Sequence, residues 1–238
     1  MIRRFIAIVF AVCINPVVLA EDAGSKDPVK HIGIYVIPYY EAAETPNGKP
    51  RVAVAKAYDA QLASNKREDI IAVRDAIQAE PELITPMTLM VLAIRLYDVG
   101  LRDEAVFWFY VAKNRYFTMV KVLNMKDSRL SDTATAVRDF AVLAGPFINS
   151  YAFCDFAKQG ATALKSIEWT EKHPYEALFM TMLPALPSDR NENLKKAIVG
   201  IKESYDEERQ YLADPKNQEE MAKKRKENNV PEQFCWGI

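Results

Sequence analysis

The segment RDEAVFWFYVAKNRYFTMVKV, residues 102–122, constrains the fold more than any other part of the chain. Its Phe107, Trp108, Phe109 and Tyr110 are consecutive. Successive helix positions turn by about 100°, so four of them sweep about 300° of the helix surface. They cannot share one face. A binding stripe repeats at three and four, whereas a helix that is apolar all round needs neighbours on most sides. The segment therefore predicts a central helix inside a multi-helix fold. Trp108 and Tyr110, each with a polar group to satisfy, are the aromatics expected to reach the surface.

Flanking segments supply the neighbours. In REDIIAVRDAIQAEP, Ile70, Val73 and Ile77 recur at helical spacing with Ala76 beside them, and Pro81 ends the unit. In TPMTLMVLAIRLYDVG, Thr85 can cap, Pro86 suits the first turn, and Gly100 stands where a left-handed residue closes a helix. Further helical patterns cover 131–144 and 146–158, divided at Gly145-Pro146, then 161–171, 175–183 and 191–212. The predicted class is all-α, built from antiparallel helix pairs.

Ahead of the helices, residues 21–55 form an arm in which Ile32, Ile34 and Val36, then Val52 and Val54, alternate on either side of TPNGKP. This reads as a short β-hairpin or as an extended segment lying over the helices. The expected division is a signal peptide at 1–20, the arm at 21–55, a helical domain at 56–213 and a charged C-terminal extension at 214–238.

MIRRFIAIVFAVCINPVVLA has the basic start, short apolar run and small-residue end of a secretory signal, with cleavage after Ala20. The apolar run is shorter than the roughly 20 residues that span a bilayer, so no stable membrane anchor is expected after cleavage. Losing Arg3 and Arg4 with a segment that carries no acidic residue takes the formal charge from −1 to −3. Nucleic acid, which calls for a basic stripe, is not an expected partner. The run Lys223-Lys224-Arg225-Lys226 is flanked by Glu219, Glu220 and Glu227 and reads as a solvated face.

Processing leaves Cys154 and Cys235. Export permits them to pair, and the loop of about 80 residues so closed corresponds to roughly 4 kcal/mol in the chain-entropy model. A buried free thiol at Cys154, within the apolar AFCDF, is the open alternative.

Signatures of catalysis are absent from the sequence. His31 and His173 have no His or Cys close in sequence, and His173-Pro174-Tyr175-Glu176 reads as a helix start rather than a ligand pair. No nucleophile elbow, phosphate loop or dinucleotide fingerprint occurs. Glu68-Asp69, Asp103-Glu104 and Asp206-Glu207-Glu208 fall in first helical turns or on solvated faces. No catalytic residue, cofactor or metal is expected.

LAIRLYDVGLRDEAVFWFYVA, residues 92–112, resembles one unit of a tetratricopeptide repeat. Leu92 and Ala93 match its first helix, Gly100 its turn, and Glu104-Ala105, Phe109 and Ala112 its second helix. The resemblance implies irregular repeat-like helical hairpins and a role in binding protein or peptide. The arm together with MVLAIRLYDVGLRDEAVFWFYVAKNRY also resembles small exported bacterial proteins of the type VI secretion immunity kind. That likeness implies a periplasmic or secreted protein that neutralises an envelope-acting toxin. Expected contacts are Tyr39, Tyr40 and Glu41 in the arm, with Arg95 and Asp98 on an exposed face of the helix around 89–98. An envelope hydrolase or accessory factor using dispersed carboxylates, and a self-associating scaffold, are the alternatives.

Overall fold

A computed structural model describes residues 26–32 and 56–238. The segment expected to be a signal peptide, most of the arm, and Tyr39, Tyr40 and Glu41 lie outside the described residues. Among the described residues there are nine α-helices and no strand beyond one isolated bridge, so the all-α class holds there. The helices are α1 (Asp59–Leu62), α2 (Arg67–Ala79), α3 (Pro86–Asp98), α4 (Arg102–Val122), α5 (Ser131–Ala152), α6 (Phe156–Lys172), α7 (Arg190–Ala213), α8 (Pro215–Glu227) and α9 (Val230–Phe234). None is long and apolar enough to cross a membrane.

The start of α3 follows its sequence signals. The Thr85 hydroxyl accepts the Thr88 amide at 3.1 Å, and Pro86 occupies the first turn. Gly100, at φ +82°, closes the helix in the left-handed region, where a side chain would be strained. Only three residues separate α3 from α4, so the two pack antiparallel. Pro86 to Tyr97 is buried without interruption.

Helix α4 is the hub, packed against α3, α5, α6 and α7. Trp108, Phe109 and Tyr110 are all buried, each contributing roughly 2–3 kcal/mol through apolar burial. Surface access for Trp108 or Tyr110 is not observed; Phe107 is the half-buried member instead. Both polar aromatics are accommodated inside. The Tyr110 oxygen accepts from Gln159 Nε2 at 3.1 Å, and Trp108 meets Trp169 edge-on at 5.4 Å.

Gly145-Pro146 does not break the chain, because α5 runs through both. Pro146 cannot serve the Val142 carbonyl, but Val142 is exposed and water can take that place. Gly145 sits against Phe109, whose ring tip would lie 3.7 Å from an added Cβ. The division falls at Phe153–Asp155, where the Asp155 side chain caps α6 by accepting the Lys158 amide at 2.9 Å. Ala76 is exposed, unlike Ile70, Val73 and Ile77, which are fully buried.

His173 closes α6 rather than starting a helix, and its ring stacks on Trp169 at 4.8 Å. The helix expected at 175–183 is a single 3-10 turn, Glu176–Phe179, followed by irregular chain. Pro184 and Pro187 withhold amide donors there. Three carbonyls of the segment, those of Leu178, Met182 and Leu183, instead accept from arginines.

The C-terminal extension packs back as α8 and α9. Met221 joins Phe153 and Leu212, and Phe234 meets Phe147 edge-on at 6.2 Å. Arg225 departs from the solvated basic face: it is 9% exposed, and its Nη2 donates to the Ser150 carbonyl at 2.8 Å. Burial lowers this guanidinium to about 10, which leaves it cationic at neutral pH.

Candidate functional site

Arg95 and Asp98 are brought together, but not on an exposed face. Arg95 is buried, and its Nη1 donates to Asp98 Oδ2 at 2.7 Å. Its Nη2 reaches the Ser64 carbonyl and Asn65 Oδ1, each at 2.8 Å. Asp98 Oδ1 accepts the Ile32 amide at 2.6 Å. The sequence-based expectation of surface charge fails because α3 is covered all round, and the pair fastens the segment 26–32 and the α1–α2 loop to α3. Tyr97 completes this tether, its hydroxyl donating to the Val29 carbonyl at 3.2 Å. Burial pushes that hydroxyl up to about 12.

Cys154 and Cys235 are joined as a disulfide, with Cα atoms 5.6 Å apart, which closes the C-terminal segment onto the end of α5. Arg102 holds the residues on either side of Cys235. Its guanidinium donates to the carbonyls of Phe234 and Trp236 and lies 3.7 Å from the Trp236 ring centroid and 4.3 Å from that of Tyr151. Val29 donates its amide to the Gln233 carbonyl at 2.8 Å, so both ends of the described chain meet beside α3 and α4.

A second feature is the segment after the 3-10 turn. Phe179, Met180 and Met182 are exposed, Met182 by 74%. Their backbone is held at several points. Arg190 donates to the carbonyls of Leu178 and Leu183, and Arg129 Nη1 to that of Met182 at 3.2 Å. Leu123 and Ala185 form an antiparallel bridge, flanked by Asn124 N to Pro184 O at 2.9 Å and Leu186 N to Val122 O at 3.0 Å. Underneath, Leu178 packs with Val122 and Tyr175. Three apolar side chains thus stand outward on a pinned backbone. Sequence reasoning missed this because it read 175–183 as a helix; the apolar FMTML run between prolines was the available signal.

The third feature is a partly open cavity of about 60 Å³ between α4, α6 and α7 and the end of α5. Helix α4 contributes Tyr110, Lys113 and Asn114, and α6 contributes Gln159, Ala163, Ser166 and Ile167. From α7 come Ile201, Ser204, Tyr205 and Glu208, with Asn149 and Phe153 from α5. Gln159 Nε2 donates to Glu208 Oε1 at 3.0 Å as well as to Tyr110, while its Oε1 accepts from Arg209 at 2.5 Å. The Arg209 guanidinium lies over Gly160, in space that a Cβ there would contest. Asn114 Nδ2 donates to the Ser166 hydroxyl at 3.1 Å. Burial pushes the Tyr110 hydroxyl well up.

Glu68 and Asp69 lie in the first turn of α2, and Asp103 and Glu104 in that of α4. Asp206 and Glu207 are exposed on α7, while Glu208 faces the cavity lining. Among the described residues, no group of three or more His, Cys, Asp or Glu side chains could hold a metal ion.

Over the described residues these features define an all-α fold with a central helix, a tethered segment at 26–32 and a disulfide-closed carboxyl end. The chain is 41% identical over 213 residues to an uncharacterized protein of Haemophilus influenzae (strain ATCC 51907 / DSM 11121 / KW20 / Rd), covering 89% of this chain and 81% of that protein. It belongs to the family of that bacterial protein. No protein-family model matches the chain, and no solved structure matches it.

Proposed function

We propose that this is an exported, non-catalytic protein of the bacterial periplasm that works by binding another protein, and that the partner docks on Phe179, Met180 and Met182. The pinned loop carries the reading. Scattered exposed apolar residues are ordinary, but here three occur within four residues on a backbone fixed by Arg129 and Arg190. Little conformational freedom is then left to lose on association. Methionine side chains also adapt their shape to a partner.

Two further observations support the reading. A Cys154–Cys235 bridge suits an oxidising export compartment. The α3–α4 hairpin, turned at Gly100 and with Ala93, Ala105 and Ala112 fully buried, supports the tetratricopeptide resemblance and the peptide-binding role it implies. The resemblance to exported immunity proteins narrows the partner to an envelope-acting toxin, with Tyr39, Tyr40 and Glu41 as a second contact.

Capture from a periplasmic extract tests this, using the chain and its Met182→Asp variant, with circular dichroism to show both folded. One stoichiometric protein recovered by the first and lost with the second is the expected result. Recovery of nothing by either would overturn the binding role, and undiminished recovery with Met182→Asp would overturn the docking surface.

A further inference from the structure

We propose that the cavity between α4, α6 and α7 is a binding site for a short neutral polyol, a molecule of glycerol size or the hydroxylated edge of a sugar. The proposal stands apart from the docking loop, which is built from other residues.

The cavity residues occupy inward stripes, at 110, 113 and 114 on α4, 159, 163, 166 and 167 on α6, and 201, 204, 205 and 208 on α7. These spacings of three and four are where a helix interface normally places apolar packing. Here Asn114, Gln159 and Ser166 are 4%, 3% and 1% exposed. Buried polar groups are costly unless bonded, and an apolar filling of the same space would be at least as stable. A hollow of mostly apolar surface into which a few polar side chains reach from core positions is therefore a departure from packing logic of the kind expected at a binding site.

The hydrogen-bonding inventory identifies the ligand chemistry. Gln159 is spent on Tyr110, Glu208 and Arg209, and Ser166 donates to the Ala163 carbonyl while accepting from Asn114. The Asn149 amide, the Ser204 and Tyr205 hydroxyls and the Glu208 carboxylate also line the hollow, beside Asn114. Amides and hydroxyls both give and take hydrogen bonds. The lining carries both signs of charge, Lys113 and a Glu208 already paired with Arg209 at 2.8 Å, so it selects neither an anion nor a cation by charge. Hydroxyl groups satisfy both kinds of site, and Phe153, Ile167, Ile201 and the Tyr205 ring give the carbon skeleton an apolar wall.

Size agrees with this chemistry. One water needs about 10–15 Å³ in the same measure, so about 60 Å³ accepts on the order of four to six non-hydrogen atoms.

Titration of the purified, oxidised chain with glycerol and erythritol, followed by amide NMR, tests the site. Saturable shifts at the side-chain amides of Asn114, Asn149 and Gln159 are expected. Ser204→Phe, which fills the hollow, should weaken binding at least tenfold. Asn149→Leu, at a half-buried position, should weaken it severalfold. The proposal is overturned by shifts that do not saturate, by shifts that persist undiminished in Asn149→Leu, or by tighter binding of acetate or ammonium than of either polyol.

Discussion

The guanidinium of Arg115 donates to the His173 carbonyl at 3.0 Å and, through Nη1, to the carbonyls of Pro81 and Ile84 at 2.7 Å each. One fully buried side chain on α4 thus secures both the α2–α3 loop and the end of α6. The rings of Trp169 and Tyr175, with centroids 5.1 and 5.4 Å away, add cation–π attraction. Burial lowers the guanidinium to about 10, still cationic at neutral pH.

Arg115→Met removes the donor from the buried carbonyls of Pro81 and Ile84 and from the part-buried carbonyl of His173. Each buried acceptor so orphaned costs about 1–3 kcal/mol, so urea unfolding should show a loss of at least about 2 kcal/mol. Arg115→Lys keeps the charge but not the planar fork, and should fall between that variant and the native chain.

Asp98→Ala leaves the Arg95 guanidinium buried without its carboxylate and frees the Ile32 amide. A loss of about 3 kcal/mol is expected, as for other broken buried pairs. Hydrogen exchange at Ile32 should speed up before global unfolding. Slow exchange there in the variant would show that the amino-terminal tether is held elsewhere.

Cys235→Ser, or reduction, opens a link between residues 81 positions apart. The chain-entropy model gives a destabilisation of about 4 kcal/mol, read as a lower urea midpoint. Phe234 and Trp236 should then loosen from Arg102, and Trp236 fluorescence should report it.

Asp103 gives a pH signature. Burial alone would raise its carboxyl, but bonds from Lys158 at 2.7 Å and Tyr151 at 2.6 Å outweigh burial and hold it below its ordinary value of 3.8. A carboxyl lowered on folding stabilises fully above the unfolded value and progressively less as pH falls below 3.8 towards the folded one. The group is half-exposed, so the effect is under about 1 kcal/mol after screening. In Asp103→Asn the fall in stability below that pH should be correspondingly shallower in urea titrations.

Helical period and punctuation were enough to read the centre of the fold. The bounds of α4, the cap at Thr85 and the turn at Gly100 all follow from local sequence, because each depends on residues within a turn of one another. Gly145-Pro146 misled because its tolerance depends on Phe109 and on an outer face, both tertiary facts. Arg95 looked like surface charge for the same reason: its partners at Ser64 and Asn65 lie about 30 residues away. The cavity was invisible, since Asn114, Gln159 and Ser204 are ordinary polar residues until three helices place them together. In the apolar loop, Arg129 is about 50 residues from the Met182 carbonyl it holds, beyond any local pattern.

Partner binding through the pinned loop is tested most directly by site-specific photocrosslinking in the periplasm, with a photoreactive amino acid at Met182 and, as a control, at the exposed Lys195 on α7. The account predicts a single covalent adduct of defined mass from position 182 and none from 195. No adduct at 182, or the same adducts from both positions, would contradict it.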